Sequence, residues 1–487
     1  MNTVEELQHR VAALEAQVAQ LLHVIAERDA VIVELTAKNV KLTARVVELE
    51  EKLGQNSSNS NKPPSSDPPS ASGKSGGGAR SGKPSGRKRG GQPGHRGSRR
   101  ELLPAEQVDE VVDCFPRVCE CCAGRLPQRP DANALRHQVT EVPPVKPHTT
   151  EYRQHDVECR CGHVTRGELP AGVSTVPFGP RLIAWAASLV GVYKLSRRPA
   201  QALLWEMLGV RMSLGAISTC ERRTSDALKP AHEEAFVHAR DAPVKHIDAT
   251  SWYEAGKYKH VWALVTAAAT VFEIRSDGTS KTVKSVLGRM KGILISDRAT
   301  AFLFWKMKRR QVCWAHLMRK FVAFSERDGD AGRLGRELLE YATLLFSYWH
   351  QLKDEKLSRR TFRQWLAPIR TRVEALLANA GRRDIPRMSG SCRDMLEHRD
   401  ALWTFVDHEG IEPTNNDAER ALRAAVIWRK TSLGTKSERG SRFVERILTV
   451  TQTLRRRGGD VLGYIREAVE AFMHGRPSPL LLPAHAR

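Results

Sequence analysis

A chain of 487 residues is too long for one compact core and implies about three or four folded units. Lys and Arg number 77 against 55 Asp and Glu, and the net charge of +22 attracts a polyanion, nucleic acid ahead of an acidic membrane, which argues against an enzyme for small neutral metabolites. No run approaches the ~20 apolar residues of a bilayer span, and MNTVEELQHR lacks the layout of a signal peptide, so a cytoplasmic, nucleoid-associated protein without membrane partners is expected.

The first element is a heptad repeat. Val4, Val11, Val18, Ile25, Ile32, Asn39, Val46 and Leu53 stand at a, with Leu7, Leu14, Leu21, Arg28, Leu35, Leu42 and Leu49 at d. β-Branched residues at a with Leu at d favour two parallel strands, and Asn39 at an a position fixes the register, so residues 1–54 read as a homodimerising coiled coil. A lone amphipathic helix laid on a globular domain would show a wider stripe at a 3.6 period. Residues 55–104 then form a linker. Between 55 and 100 the apolar content is Ala71 and Ala79, too little to offset ordering entropy, while ten Lys/Arg face Asp67 alone. Arg87, Lys88 and Arg89 mark it as a phosphate-binding arm, the alternative being a solubilising spacer.

The nine cysteines are an odd number, and six of them fall between Cys114 and Cys161, which in a reducing compartment points to metal rather than disulfides. Cys119-x-x-Cys122 and Cys159-x-Cys161 supply four thiolates in two knuckles, the set a closed, structural tetrahedral Zn²⁺ requires. The second knuckle is short, leaving His163 or His155 as substitutes there and Cys114 or Cys121 in the first. The stretch HQVTEVPPVKPHTTEYRQHDVEC suits short strands, so 105–174 reads as a zinc-binding domain.

Residues 175–240 read as three helices, with a start at Ser196 and Pro199, a break at Gly209 and a cap at Ser213. The turn GVRMS between two of them matches a helix-turn-helix that carries Arg222 and Arg223, or an ordinary packing unit.

Beyond residue 240 the period becomes two. VKHIDATSWY places Val244, His246, Asp248, Thr250 and Trp252 on one face of a strand, EAGK turns into YKHVWALVTA, and TVFEIR follows as a third strand. A helix begins near Thr279, and GILISDRATAF is a buried strand ending at Asp297. An anionic side chain inside an apolar strand is costly unless a metal or partner compensates it, which makes Asp248 the most informative residue in the chain. Asp297 either joins it or caps a helix. The first and fourth strands of such a sheet are neighbours, so the two carboxylates can share divalent cations. A third acid is Glu419 in EPTNNDAERALRAAVIWRK, beside the buried stripe Ala418, Ala421, Leu422, Ala425 and Val426. Asn416 and Glu419 also stand at capping-box spacing, which would make Glu419 a helix closure only.

These motifs together resemble the DDE transposases of the insertion sequence sixty-six family over almost the whole chain. The likeness is carried by QNSSNSNKPPSSD, GGQPGHRG, the two cysteine knuckles, HIDATSWY, ISDRATAF, CWAHLMRKF, NNDAERALR and WRKTSLGTKSERGS. Thr414 departs from the Asp that many relatives carry before the paired Asn. The resemblance implies a multidomain α/β protein: an RNase H-like catalytic domain with an all-helical insertion, preceded by the coiled coil, the small zinc-binding domain and the helical DNA-binding-like module. It implies Asp248, Asp297 and Glu419 as ligands of two catalytic Mg²⁺, the element's terminal inverted repeats as substrate, and small accessory proteins of the same element as partners.

On this reading the catalytic core runs over 241–324 and 405–470, the helical insertion over 325–404 and a tail over 471–487. His316 approaches the site, contacts DNA or is structural. Eleven Lys/Arg between Arg420 and Arg457 face Glu438 and Glu445 alone, making Arg423, Arg429 and Lys430 phosphate contacts. Asn415 and Asn416 orient the Glu419 turn or touch the strand. The expected chemistry is Mg²⁺-dependent DNA cleavage and strand transfer by in-line displacement. The competing reading is a non-catalytic DNA-binding regulator with a degenerate sheet domain.

Overall fold

A computed structural model describes residues 2–53, 55–56, 59–60, 100–170, 173 and 176–483. Arg87, Lys88 and Arg89 lie outside the described residues. Contacts divide the chain into two units, one of Met1–Gly76, Pro170–Ala200 and Ser213–Arg487, the other of Gly77–Leu169 and Gln201–Met212. The protein is mixed α/β, mostly helical, with one mixed sheet.

Helix α1, Asn2–Leu53, is uninterrupted. Its seam is in water: Val11, Leu14, Val18, Leu21, Ile25, Ile32, Leu35 and Leu42 are all exposed.

In the second unit, β1 (Asp156–Glu158) and β2 (Val164–Arg166) form an antiparallel hairpin around Cys159 and Cys161. A single bridge, Val118 to Arg125, closes the turn around Cys119 and Cys122. Of the short strands expected over 137–159, β1 forms at its end and none forms over 137–155. Pro143, Pro144 and Pro147 remove ladder donors there, and Val139 and Val142 are exposed with no layer to cover them.

Four helices follow where three were expected: α2 (Pro180–Gly191), α3 (Arg197–Leu208), α4 (Leu214–Ala227) and α5 (Lys229–Asp241), the last opened by Pro230 in its first turn. Ser213 caps α4 by accepting from the Ala216 amide, as its sequence position predicts.

The sheet contains β3 (Val244–Glu254), β4 (Lys257–Val265), β5 (Thr270–Arg275), β6 (Ile293–Ser296) and β7 (Arg310–Val312), in the order β5-β4-β3-β6-β7. The first three form an antiparallel meander, and β6 and β7 join in parallel. Ala255 and Gly256, both at positive φ, make the two-residue turn between β3 and β4. Helix α6 (Ser280–Leu287), capped by Thr279, is the crossover that lets β6 return beside β3.

Helix α7 is Trp314–Ser325, and the helices α8 (Gly329–Lys353), α9 (Arg359–Arg382), α10 (Ser389–Glu397), α11 (Arg399–Leu402) and α12 (Thr404–Asp407) come next. Their Leu, Phe and Trp side chains form one core with α7, Ile295 and Val312, so the helical insertion expected from periodicity packs against the β6–β7 side of the sheet. The chain then re-enters through α13 (Asn416–Ser432), α14 (Glu438–Arg455) and α15 (Val461–Met473). Helix α14 protects the open edge of β5. Thr453, Thr449 and Glu445, one helical turn apart, accept from the amides of Thr270 (3.0 Å), Phe272 (3.0 Å) and Ile274 (2.6 Å).

Candidate active site

Strand pairing brings the two aspartates together. In the parallel β3–β6 ladder His246 is level with Ile295, and Asp248 and Asp297 each stand two residues further on. Asp248 is partly buried on β3, where its Oδ1 accepts from the Ala249 amide at 2.8 Å. Burial first, then the charge of Asp297, with Glu419 adding to it, raises its pKa to about 8. Asp297 makes an Asx turn, Oδ1 accepting from the Ala299 amide at 3.0 Å. Fully buried Arg310 donates to the Asp297 carbonyl at 2.6 Å and to Ser296 Oγ at 3.2 Å, holding the end of β6 in place.

Glu419 arrives on the first turn of α13, whose start is stitched to the start of α7. The Trp314 amide donates to Pro413 O at 2.9 Å, and the Asn415 amide to Cys313 Sγ at 3.1 Å. Asn415 also donates its side-chain amide to Ile247 O at 2.8 Å, one residue from Asp248. The capping-box alternative fails here: Asn415, not Asn416, is the N-cap, and no side chain caps the helix. Glu419 instead faces α7, with Oε1 3.7 Å from His316 Nδ1 and Oε2 3.5 Å from Arg319 Nη2. Its Oε1 is buried without a hydrogen-bond partner, as is His316 Nδ1. Burial, outweighing the nearby Glu419, lowers the His316 pKa, so the ring is neutral. Cys313, His316 and Glu419 have ligand atoms within 4.8 Å of one another, a group that does not include the two aspartates.

The remaining predicted residues divide. Asn415 is fully buried, which suits an orienting role and leaves it little surface for a strand, whereas Asn416 is exposed. Arg423 and Lys430 are exposed, but Arg429 turns inward and binds Thr250 Oγ1 at 3.1 Å and Ser251 O at 2.6 Å, locking α13 onto β3. Arg319 was not anticipated. Its spacing of three from His316 on a helix, putting both on one face, was the available signal.

In the second unit the thiols pair within each knuckle. Cys119 is lowered below the usual thiol range by the amides of Cys122 and Cys121 and by the Cys122 thiol, and Cys159 by the Cys161 amide and thiol. Such amide-to-sulfur bonds favour thiolate, the form a metal binds. The four sulfurs of Cys119, Cys122, Cys159 and Cys161 are not gathered into one group of close ligand atoms.

The sheet thus carries two neighbouring aspartates, and a glutamate from a distant helix adds to the charge on Asp248. The Transposase IS66 family matches residues 176–443, more than half of the chain and all three acids, and the protein belongs to that family. A family of unknown function, DUF6444, matches residues 2–101. Two relatives come from Sinorhizobium fredii (strain NBRC 101917 / NGR234). The uncharacterized protein y4qI is 29% identical over 177 residues, 34% of this chain and 31% of the relative. The uncharacterized protein y4jD is 22% identical over 405 residues, 76% of this chain and 77% of the relative. The chain thus spans under a third of y4qI and about three quarters of y4jD. Membership implies DNA binding, and no helix among the described residues is long and apolar enough to cross a membrane.

Proposed function

We propose that the chain is a DDE transposase with an RNase H-like catalytic core, cutting and joining the ends of its element. The observation that carries this reading is the electrostatics of Asp248, a carboxyl inside the sheet whose neighbours Asp297 and Glu419 are themselves acids. Asp248, on which the charges of Asp297 and Glu419 both act, and the orphaned buried Oε1 of Glu419 offer oxygen donors, the chemistry that suits a hard cation such as Mg²⁺. When bound by Asp248, Asp297 and Glu419, Mg²⁺ supplies activation of water or a DNA 3′-hydroxyl and stabilisation of the leaving oxygen.

The protein's own part is positioning. Arg310 fixes Asp297, the Asn415 link to Ile247 fixes the start of α13 beside Asp248, and Arg319 steers Glu419. Neutral His316 leaves the negative charge of the site for the cations. Exposed Arg423 and Lys430, with Arg87, Lys88 and Arg89, serve as phosphate contacts.

The exposed seam of α1 supports a parallel homodimer that couples two element ends, with accessory proteins of the element as further partners. Paired low-pKa thiols support one structural Zn²⁺ on Cys119, Cys122, Cys159 and Cys161, the ion drawing the two knuckles together. Full-length protein then carries one equivalent of zinc, lost in Cys119→Ser and Cys159→Ser.

The decisive experiment is Mg²⁺-dependent strand transfer on labelled element ends with Asp248→Asn, Asp297→Asn and Glu419→Gln. Loss of cleavage with DNA binding retained is expected. Equal loss of binding and cleavage would make the acids structural and favour the regulator reading.

A further inference from the structure

A cavity of about 360 Å³ opens beside α13 and α14, and none of the roles above uses it. Its floor is apolar, with Val190, Leu195, Trp428 and Phe443, while Lys194, Arg197, Lys436 and Arg439 line its sides. Glu221 is the only acid in the lining, and it is consumed by Arg197 in a two-pronged pair of 2.8 and 2.7 Å. Among the described residues, neither Lys436 nor Arg439 is tied to a carboxylate. The cavity therefore carries a cationic excess without a counter-anion.

Lys194 is the telling residue. The Leu195 amide closes the end of α2 onto Leu189 O at 3.0 Å, and Lys194 sits just before it at φ +64°. Glycine normally fills that left-handed position, and a side chain there costs about 1 kcal/mol. What the strained backbone achieves is placement: the ammonium lies 4.2 Å above the Trp428 ring and donates to Gly191 O. Burial, and after it the charge of Arg455, brings its pKa down to about 7, so this lysine lacks an anion. Leu433 and Gly434, also at positive φ, bend the chain into the cavity wall. At Gly434 an added Cβ would fall 2.1 Å from Tyr253 O, which ties this wall to β3. Helix α14 begins at the rim, capped by Ser437, and its N-terminal end adds to the attraction for an anion.

We propose that this cavity binds a phosphate group of the DNA strand that passes the acidic site, with Lys194, Lys436 and Arg439 as its counter-charges. Trp428 lies nine residues beyond Glu419 on the same helix, roughly 13–14 Å of rise, or about four nucleotide steps along a strand. The cavity thus holds DNA at a fixed distance from the acids. The proposal rests on the reading of the chain as a DNA-processing protein.

Lys194→Gly tests it cleanly, because the substitution removes the ammonium while supplying the residue that the backbone prefers. Binding of a labelled element-end duplex to the full-length protein is followed by anisotropy, without added Mg²⁺, over a range of salt. Lys194→Gly should melt at or above the wild-type temperature, weaken DNA binding at least fivefold and reduce the salt slope by about one. Lys436→Ala with Arg439→Ala should weaken binding comparably and reduce the slope by about two. Duplexes with 5′-phosphate or 5′-hydroxyl ends separate the sources: dependence on the 5′-phosphate identifies a terminal phosphate, and independence an internal phosphodiester. If the wild type binds DNA and both variants bind within twofold of it with an unchanged slope, the cavity assignment is overturned and the transposase reading stands. If the wild type does not bind DNA, both fall.

Discussion

Two acidic clusters lie against the same sheet, and the protein treats them in opposite ways. Glu273 on β5 and Glu445 on α14 are supplied with cations. His232 lies 3.3 Å from Glu273, Arg275 also pairs with it, and Arg442 holds Glu445 at 2.7 Å. Although burial opposes it, these partners keep the Glu273 pKa below the usual carboxylate range and raise that of His232. Among the described residues, Asp248 and Asp297 form no side-chain ion pair: Arg310 reaches Asp297 only at its main-chain carbonyl, and the one permanent cation paired with Glu419 is Arg319, at 3.5 Å. A buried carboxylate is thus not in itself a sign of metal chemistry. The sign is a carboxylate cluster that the chain declines to neutralise.

The largest difference should appear in catalysis. Asp248→Asn, Asp297→Asn or Glu419→Gln should each reduce strand cleavage about 10³-fold or more, in the range lost when transition-state charge is left unsupported. Glu273→Gln should cleave within a few-fold of wild type at temperatures where it is folded. A comparable loss from Glu273→Gln would erase the distinction between the clusters.

Stability should invert that ranking. Glu273→Gln leaves buried His232 and partly exposed Arg275 without their anion and should cost about 3 kcal/mol. Asp248→Asn removes a repelled carboxyl and should raise the melting temperature of the Mg²⁺-free protein at pH 7 by several degrees, an effect of about 2 kcal/mol. Thermal melts of both variants check the opposite signs.

The pH dependence sharpens this further. Asp248 has a folded pKa of about 8 and Glu445 one of about 7, both above their unfolded values and both raised chiefly by burial. Each therefore contributes stability that is full below the unfolded pKa near 4 and is lost as pH rises through the folded value. Without Mg²⁺ the melting temperature should fall from about pH 4 to about pH 8. Asp248→Asn should remove the part of the fall that extends above pH 7, and added Mg²⁺ should restore the wild type at pH 8, leaving the Glu445 portion unchanged.

Much of the site was legible because it sits on long, patterned elements. Asp248 stood out as a charge in an apolar strand, and the meander, helix and fourth strand followed from period and turn chemistry, down to the Ala255–Gly256 turn. Glu419 was ambiguous because its spacing from Asn416 serves a capping box as well as an active site, and the two are separated only by the helix start itself, where Asn415 is the N-cap and no side chain caps the helix. Strand β7 went unread: it has three residues, two of them the buried polar Arg310 and Gln311, and its burial comes from the helical insertion rather than from its own hydrophobicity. Arg429 read as a surface cation, since composition does not reveal that Thr250 and Ser251 wait for it across the sheet. The Glu273 cluster was hidden for the same reason, because its partners come from three separate elements.

Arg319 gives the smallest and most discriminating effect. Among the described residues it is the permanent cation whose side chain pairs with a carboxylate of the cluster, yet its distance of 3.5 Å from Glu419 and its partial exposure make the pair a weak one. If its task is to hold Glu419 ready for Mg²⁺, Arg319→Ala should lower cleavage about 5–10-fold and raise the Mg²⁺ concentration needed for half-maximal rate, with Arg319→Lys recovering part of the loss. If instead Arg319 neutralises the site as Arg275 neutralises Glu273, its removal should improve Mg²⁺ affinity by leaving more negative charge. A Mg²⁺ titration of single-turnover cleavage distinguishes the two by the sign of the shift. An improvement would place Glu419 in the same category as Glu273 and remove the strongest reason for treating the two clusters differently.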